Sequence, residues 1–427
     1  MQFPYRYRVL ILLFFLILVT YLDRTCISLV GVRIKAEFNL TNEQFGWVLA
    51  AFSLAYALFE IPAGNLGDRI GQRSVLIRIV LWWSLFTVLT GITTGLISLI
   101  IVRLLFGMCE AGAFPNSSGV ASHWFPAKET ARSISSLFLG LNAGAAVAPL
   151  IVIPIAAVFG WRASFFVNGF IGLLWVLVCF LWFRNNPSEM KNISKEEKEY
   201  IEKQRRFISH RQSFPWKKAL ANPSLRALVV AFFCSQWGLY FFVAWMPVYL
   251  QEGREFSEGD VKIITSSLFV LGIAGSFLSG WLSDWLVKKR GLNFGRRFIG
   301  SLALGFLGIS FFIDAISVSN TLVIVSLITG YLIFSFNGIV SYSVCIDIGG
   351  NSAGTVAGIM NFFGQMGAFF LAIVFGKIAD YTHDFNASLY VLGFVLLAGS
   401  LFWLAVDPRK QIITESEQLS GSLKPNL

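Results

Sequence analysis

A chain of 427 residues that is 56% hydrophobic and 14% charged, with a mean hydropathy of +0.67, carries more apolar surface than a soluble globular protein can bury. About twelve spans of roughly 20 to 25 residues would consume most of that length, which excludes a large soluble catalytic domain. The 42 Phe and 38 Gly suit lipid-facing aromatics and close helix approach, and the alternating pattern of a β-barrel is absent, so the class is an all-α polytopic membrane protein.

The first apolar run, 9–32, follows Arg6 and Arg8 and imitates a signal peptide. Tyr21-Leu-Asp-Arg24 stands where a small-residue cleavage site would be, so it reads as a retained span. Further spans are predicted at 45–66, 74–94, 97–121, 133–158 and 163–183, then at 225–250, 262–284, 297–316, 321–345, 353–380 and 388–406. Between the two sets of six lies the one long hydrophilic stretch. The domain division is therefore 1–183 for a first six-helix bundle, 184–222 for a cytoplasmic linker, 223–408 for a second bundle and 409–427 for a cytoplasmic tail. In the linker Ser194 to Glu197 reads as a capping box, with Glu199–Lys203 and Glu202–Arg206 as (i, i+4) pairs on a short solvated helix.

The net charge of +10 would suggest a nucleic-acid partner in a soluble protein; here the basic residues fall between apolar runs, and no nucleic acid is implied. Arg33, Lys35, Arg162, Arg254, Lys262 and Lys377 are assigned to the external side and most other Lys and Arg to the inside. Both termini are then cytoplasmic, in a cell (plasma or inner) membrane. Cys26, Cys109, Cys179, Cys234 and Cys345 all lie in apolar segments without Cys-x-x-Cys spacing, which indicates neither a disulfide framework nor a metal site. His123, His210 and His383 fall in or near loops and build no nucleophile–base pair.

An internal repeat organises the chain. Gly64-Asn-Leu-Gly-Asp68-Arg69-Ile-Gly-Gln-Arg73 follows span 2, and Gly280-Trp-Leu-Ser-Asp284 with trailing basic residues follows span 8, the two aspartates 216 residues apart. Duplication of this kind gives two pseudo-symmetric six-helix bundles related by a parallel repeat. The first loop resembles the cytoplasmic signature of the major facilitator superfamily. On that resemblance Asp68, Arg69, Arg73 and Asp284 are gating residues, with Asp68 capping a helix N-terminus or pairing with an Arg to latch the halves; the alternative is that Asp68, Arg69 and Arg73 only set topology.

A narrower resemblance is to the anion:cation symporter branch, which includes bacterial galactonate, glucarate and hexuronate transporters and animal sialic acid and vesicular glutamate transporters. It rests on Tyr21-Leu-Asp-Arg-Thr25, on Arg103 to Pro115, on Trp124 to Arg132 and on Asp347 to Thr355. Glu60 stands where sugar-acid members often carry Gln, and Leu141-Asn142 where a galactonate binder would carry Gln, so galactonate itself is not implied.

Charges inside a bilayer are expensive and mark function. Arg24 and Arg103 are read as captors of an anionic substrate, whose carboxylate matches the guanidinium fork, or as members of buried ion pairs with Asp23, Glu60 or Glu110. Arg103 and Glu110 are two turns apart on one face, about 10 Å from each other, and Tyr56 and Glu60 share a face. Asp23, Glu110 and Glu60 are the proton-coupling candidates, because an anion competing for a neighbouring Arg changes a carboxylate's proton affinity. Asn142, Gln236, Tyr240, Ser341 and Asn361 complete the substrate-binding set. Gln236–Tyr240, Asn337–Ser341 and Asn361–Gln365 are each four apart and either bind substrate hydroxyls or bridge helices. Arg78 and Arg226 lie at membrane boundaries and snorkel.

The leading expectation is a secondary transporter, not an enzyme, acting as a monomer without cofactor and importing a sugar acid or related carboxylate with protons. Moving one negative charge inward against about 150 mV costs roughly 3.5 kcal/mol, which one proton cancels and a second reverses. Anion exchange, such as phosphate against a sugar phosphate, and a non-transporting receptor are the alternatives.

Overall fold

The computed structural model describes residues 4–190, 192–204 and 214–412. The tail beyond 412, Arg206 and His210 of the linker, and the side chain of Arg132 lie outside the described residues. Among the described residues twelve helices are long and apolar enough to cross a membrane: α1 Tyr5–Leu29, α2 Asn42–Ile70, α3 Gln72–Thr90, α4 Leu96–Trp124, α5 Ser133–Phe159, α6 Trp161–Trp182, α7 Pro223–Gly253, α8 Glu258–Arg290, α9 Leu292–Ile316, α10 Asn320–Gly349, α11 Ala353–Thr382 and α12 Phe385–Ala405. Each overlaps one predicted span. Most extend past the predicted limits because polar helical turns continue beyond the apolar window.

Three spans are not the uniform helices that hydropathy suggests. α4 has a turn at Ala111–Gly112, where Pro115 lacks the N–H that would continue the ladder, and the Asn116 side chain donates instead to Gly112 O (2.8 Å) and to Ala63 O of α2 (3.1 Å). α10 is interrupted at Ser335, and α7 widens into π-helix over Phe241–Trp245 and again over Tyr249–Gly253. The repeat is visible in the backbone as well. Gly71 and Gly291, which join α2 to α3 and α8 to α9, hold φ of +87° and +85°, a region open to glycine at no steric cost.

The chain forms two compact units. The first holds Met1–His210 with Tyr240–Val270 and Phe369–Ser388; the second holds Arg211–Leu239, Leu271–Ala368 and Leu389–Leu427. In the first unit small residues set helix spacing. A Cβ on Gly144 of α5 would lie 2.2 Å from Leu18 O of α1, and one on Gly107 of α4 would lie 2.4 Å from Phe52 O of α2. In the second, Gly300 of α9 receives the face of Trp403 of α12, whose indole N–H donates to Asn337 Oδ1 of α10 (3.1 Å). Arg296 of α9 pairs with Asp347 of α10 (3.2 Å) and donates to Ser283 of α8 (2.6 Å).

The linker helix, Lys195–Gln204, departs from the expected solvated element. Ser194 Oγ does cap the Glu197 N–H (3.1 Å), and Lys203 pairs with Glu199 (2.9 Å). The Glu197 carboxylate, however, accepts from the backbone N–H groups of Tyr5 and Arg6 (both 3.0 Å) rather than completing a capping box. The N-terminus of α1 presents free amide donors and positive dipole, which outcompete the local partner. Ile201 is fully buried on the same helix.

At the opposite end of the first unit the basic residues that the sequence assigns to the external side are engaged in ion pairs. Arg33 forks onto Glu258 (2.8 and 2.9 Å), Lys35 reaches Glu252 and Asn42 (both 2.5 Å), and Arg162 pairs with Glu37 (2.7 Å). Glu37, also bonded by the Trp161 indole N–H, is held below the usual carboxylate range by the Arg162 and Trp161 donors. Asp380 of α11 caps α2, accepting from the backbone N–H groups of Asn42 (3.0 Å) and Glu43 (2.7 Å) and from the Asn42 amide (2.8 Å). Beneath it the two helices touch backbone to backbone: a Cβ on Gly46 would meet Ala372 O at 2.4 Å and one on Gly376 would meet Asn42 O at 2.3 Å.

Asp380→Ala removes a charged acceptor from a helix N-terminus at a half-exposed site, worth about 1 kcal/mol. A cysteine placed at the buried Ala372 should then react with a maleimide about five-fold faster than in the parent. An unchanged rate would show that Asp380 does not hold α2 and α11 together.

Candidate functional site

The buried charges of the first unit converge where α1, α2 and α4 meet. Asp23 and Arg24 lie late in α1, Tyr56 and Glu60 in α2, and Arg103 and Glu110 in α4, and all six are at least nine-tenths buried. Gly107, between Arg103 and Glu110 on the same helix, makes this possible, since its missing side chain lets α4 seat on the Phe52 carbonyl of α2. Ala63 and Gly64, about a turn past Glu60, meet the Gly112–Pro115 break of α4: a Cβ on Gly112 would contact Ala63 at 3.1 Å and one on Gly64 would contact Pro115 at 3.1 Å.

Arg24 Nε donates to Glu110 Oε1 in a fully buried ion pair. Of the partners open to Arg24 from sequence, the structure therefore selects Glu110. The remaining surface of its guanidinium is aromatic: the rings of Tyr56, Tyr21 and Phe52 lie 4.6, 4.9 and 5.0 Å from its carbon. Arg103 sits over the rings of Phe106 (4.7 Å) and Phe52 (5.0 Å), and its buried Nε has no hydrogen-bond partner among the described residues. Phe52 is thus shared by both cations.

Asp23 faces Arg103, Glu110 and Cys26, and among the described residues neither of its buried oxygens is hydrogen-bonded; the Trp83 indole N–H of α3 lies beside it but outside hydrogen-bonding geometry. Glu110 Oε2 is likewise buried without a hydrogen bond. Glu60 lies beside the Tyr56 hydroxyl. Tyr240 of α7, where the π-helix begins, is buried and is an electrostatic neighbour of Arg24. A cluster with one cation tied to a carboxylate, a second cation with an unused donor and a carboxylate with two unused acceptors can trade partners without breaking the helices around it.

Other residues singled out in the sequence lie elsewhere. Asn142 is buried on α5, its amide donating back to Phe138 O (3.3 Å). In the second unit Gln236 is buried against the Gly364 position of α11, Asn361 is half-buried, and Ser341 donates to Asn337 O (2.8 Å), whose side chain bridges to Trp403. Asp68, Arg69 and Asp284 are exposed at helix ends, whereas Arg73 donates to Phe180 O of α6 (2.7 Å) and its N–H to Asn185 (2.8 Å). Arg78 and Arg226 are exposed, as snorkelling residues are. Among the described residues no group of three or more His, Cys, Asp or Glu could hold a metal ion, and the five cysteines are unpaired.

Sequence reading missed Phe52, Tyr21 and Trp83 as walls of the cluster. Phe52 could have been found, because Phe52, Tyr56 and Glu60 form one (i, i+4) row. It also missed Asp314, wholly buried two residues from the end of α9.

The family model described as Major Facilitator Superfamily matches residues 13–372. A probable sulfoacetate transporter of Cupriavidus necator is 30% identical over 411 residues, covering 94% of this chain and 93% of the relative. A probable galactarate/D-glucarate transporter of Bacillus subtilis is 30% identical over 438 residues, covering 97% and 94%. The crystal structure of a bacterial homologue of the human lysosomal transporter Spinster, inward-facing and unoccupied, superposes with a TM-score of 0.75 at 18% identity, covering 96% of this chain and 98% of that one. The chain belongs to the major facilitator superfamily, as a twelve-helix membrane transporter whose full-length relatives carry organic anions.

Proposed function

We propose that the chain imports a small organic anion, a sugar acid or related carboxylate, by proton symport and alternating access. The observation that carries this reading is the buried Arg24–Glu110 pair beside Arg103 and Asp23. An incoming carboxylate is a better-placed ligand for a guanidinium fork than a single carboxylate oxygen bonded at Nε. Taking Arg24 from Glu110 leaves a buried carboxylate without its countercharge, a state costing several kcal/mol unless a proton arrives. Substrate and proton thus enter as one.

The charge inventory points the same way. Two guanidiniums face three carboxylates, Asp23, Glu60 and Glu110, so each negative charge brought in by substrate needs a proton to keep the low-dielectric interior near neutrality. Tyr56 and Tyr240, beside Arg24, would contact the substrate at this cluster; Asn142, Gln236, Ser341 and Asn361 remain candidates for its hydroxyls on their sequence pattern. The sulfonate or sugar-acid anions carried by the relatives named above are ligands of this kind. Release of the Arg33–Glu258, Lys35–Glu252 and Asp380–α2 contacts would open one end, with Asp68, Arg69, Arg73 and Asp284 gating the other, at which both termini lie in the cytoplasm.

Arg24→Ala and Arg103→Ala should each reduce uptake of a bound sugar acid by at least about 100-fold, and Arg24→Lys should remain poor because a point charge replaces a fork. Normal uptake by both alanine variants in reconstituted vesicles would contradict capture by these arginines.

Glu110→Gln keeps the shape but carries no titratable group. It should abolish accumulation under a pH gradient while counterflow of labelled substrate, which needs only the loaded carrier to reorient, survives within several-fold. Accumulation equal to the parent would remove Glu110 from coupling; accumulation independent of protons but dependent on an internal anion would instead establish exchange.

A further inference from the structure

A groove of about 500 Å³ runs between α1 and α6 within the first unit, and none of the six charged-cluster residues lines it. Its walls are apolar and face outward: Ile11 and Phe15 of α1 are 47% and 49% exposed, and Leu174 and Val178 of α6 are 45% and 51% exposed. Its floor is fixed by Trp175, whose indole N–H donates across to Leu12 O (2.9 Å), so the two helices cannot close it. From Arg8 to Val19 the groove follows three turns of helix, about 16 Å, close to half of a hydrocarbon core about 30 Å thick. It therefore occupies one leaflet.

One end is not apolar. Arg8 lies at the mouth, its guanidinium 4.5 Å from the Tyr5 ring, and Tyr5 stacks on Trp182 at 6.2 Å, the aromatic pair that marks a membrane–water interface. Its neighbour Arg6 is engaged by Glu129 (3.2 Å) and Glu197 (3.7 Å), whereas Arg8 has no acidic partner among the described residues. A cation left over at the polar end of a lipid-facing, leaflet-long apolar trough matches one ligand chemistry: an acyl chain carrying an anionic head.

We propose that this groove seats an anionic phospholipid, one acyl chain lying along α1 and α6 and its phosphate held by Arg8. The lipid fills space that the Trp175 strut keeps open, and it secures the N-terminal turn of α1, which also receives the linker helix through Glu197.

The test is native mass spectrometry of the full chain, purified in detergent and incubated with an equimolar mixture of phosphatidylglycerol and phosphatidylcholine. The parent is expected to retain one phosphatidylglycerol in preference to phosphatidylcholine. Arg8→Gln should lower that retention about five-fold, equivalent to about 1 kcal/mol for one basic side chain at an anionic surface, while Arg78→Gln, an exposed arginine outside the groove, leaves it unchanged. Val178→Trp, which fills the groove at an exposed position without altering charge, should abolish retention of either lipid. Equal retention of the two lipids by the parent, or undiminished phosphatidylglycerol in both groove variants, would overturn the proposal. A dimer that Val178→Trp dissociates would also overturn it, by placing a second copy in the groove.

Discussion

Arg24 and Glu110 neutralise one another inside the first unit, and the surrounding structure depends on that pair. A guanidinium withdrawn from water is tolerable only with a countercharge and with its faces covered, and both conditions are met here by Glu110 and by the rings of Tyr21, Phe52 and Tyr56. The pair is weak evidence for stability, since well-packed apolar residues would do as well. On the proposed function its value is that it can be exchanged for another pair of similar energy.

Exchange requires that the helices carrying the charges stay in place while the charges change partner. Glycines provide this by bringing backbones into contact: Gly107 fixes α4 on α2, and Gly140 and Gly144 fix α5 on the Phe14 and Leu18 carbonyls of α1. The contacts at the outer end are of another kind. Arg33–Glu258 and the Asp380 cap are partly exposed, and the buried Lys35 pairs with a part-exposed Glu252; exposed pairs of this kind are each worth little alone, and on the proposed reading the set releases stepwise. A rigid charged interior and a releasable rim are what alternate exposure of one site demands.

Much of this was legible in the sequence. All twelve spans emerge from hydropathy because each must satisfy its own backbone in lipid, and the buried charges stand out for the same reason. Pairing was not legible. That Arg24 takes Glu110 rather than its neighbour Asp23 depends on how α4 seats on α2, a tertiary fact set by Gly107 and Phe52. Arg33 and Lys35 read only as orientation signals because their acidic partners lie more than two hundred residues away. The break in α4 was written in Pro115 and Asn116, yet an apolar window averages over it. The linker helix has a composition typical of a solvated element, and only the free N-terminus of α1 explains why Glu197 turns inward.

On the proposed reading an anion that takes Arg24 from Glu110 brings a proton with it, and calorimetry tests this coupling without transport. Titrating a sugar acid that binds the purified protein, in buffers of different ionisation enthalpy near neutral pH, reports protons taken up on binding. The parent should take up at least about half a proton per anion bound, and Glu110→Gln should take up measurably less while still binding. Heats identical in every buffer for the parent, at full occupancy of the site, would show that the anion does not displace Glu110 from Arg24.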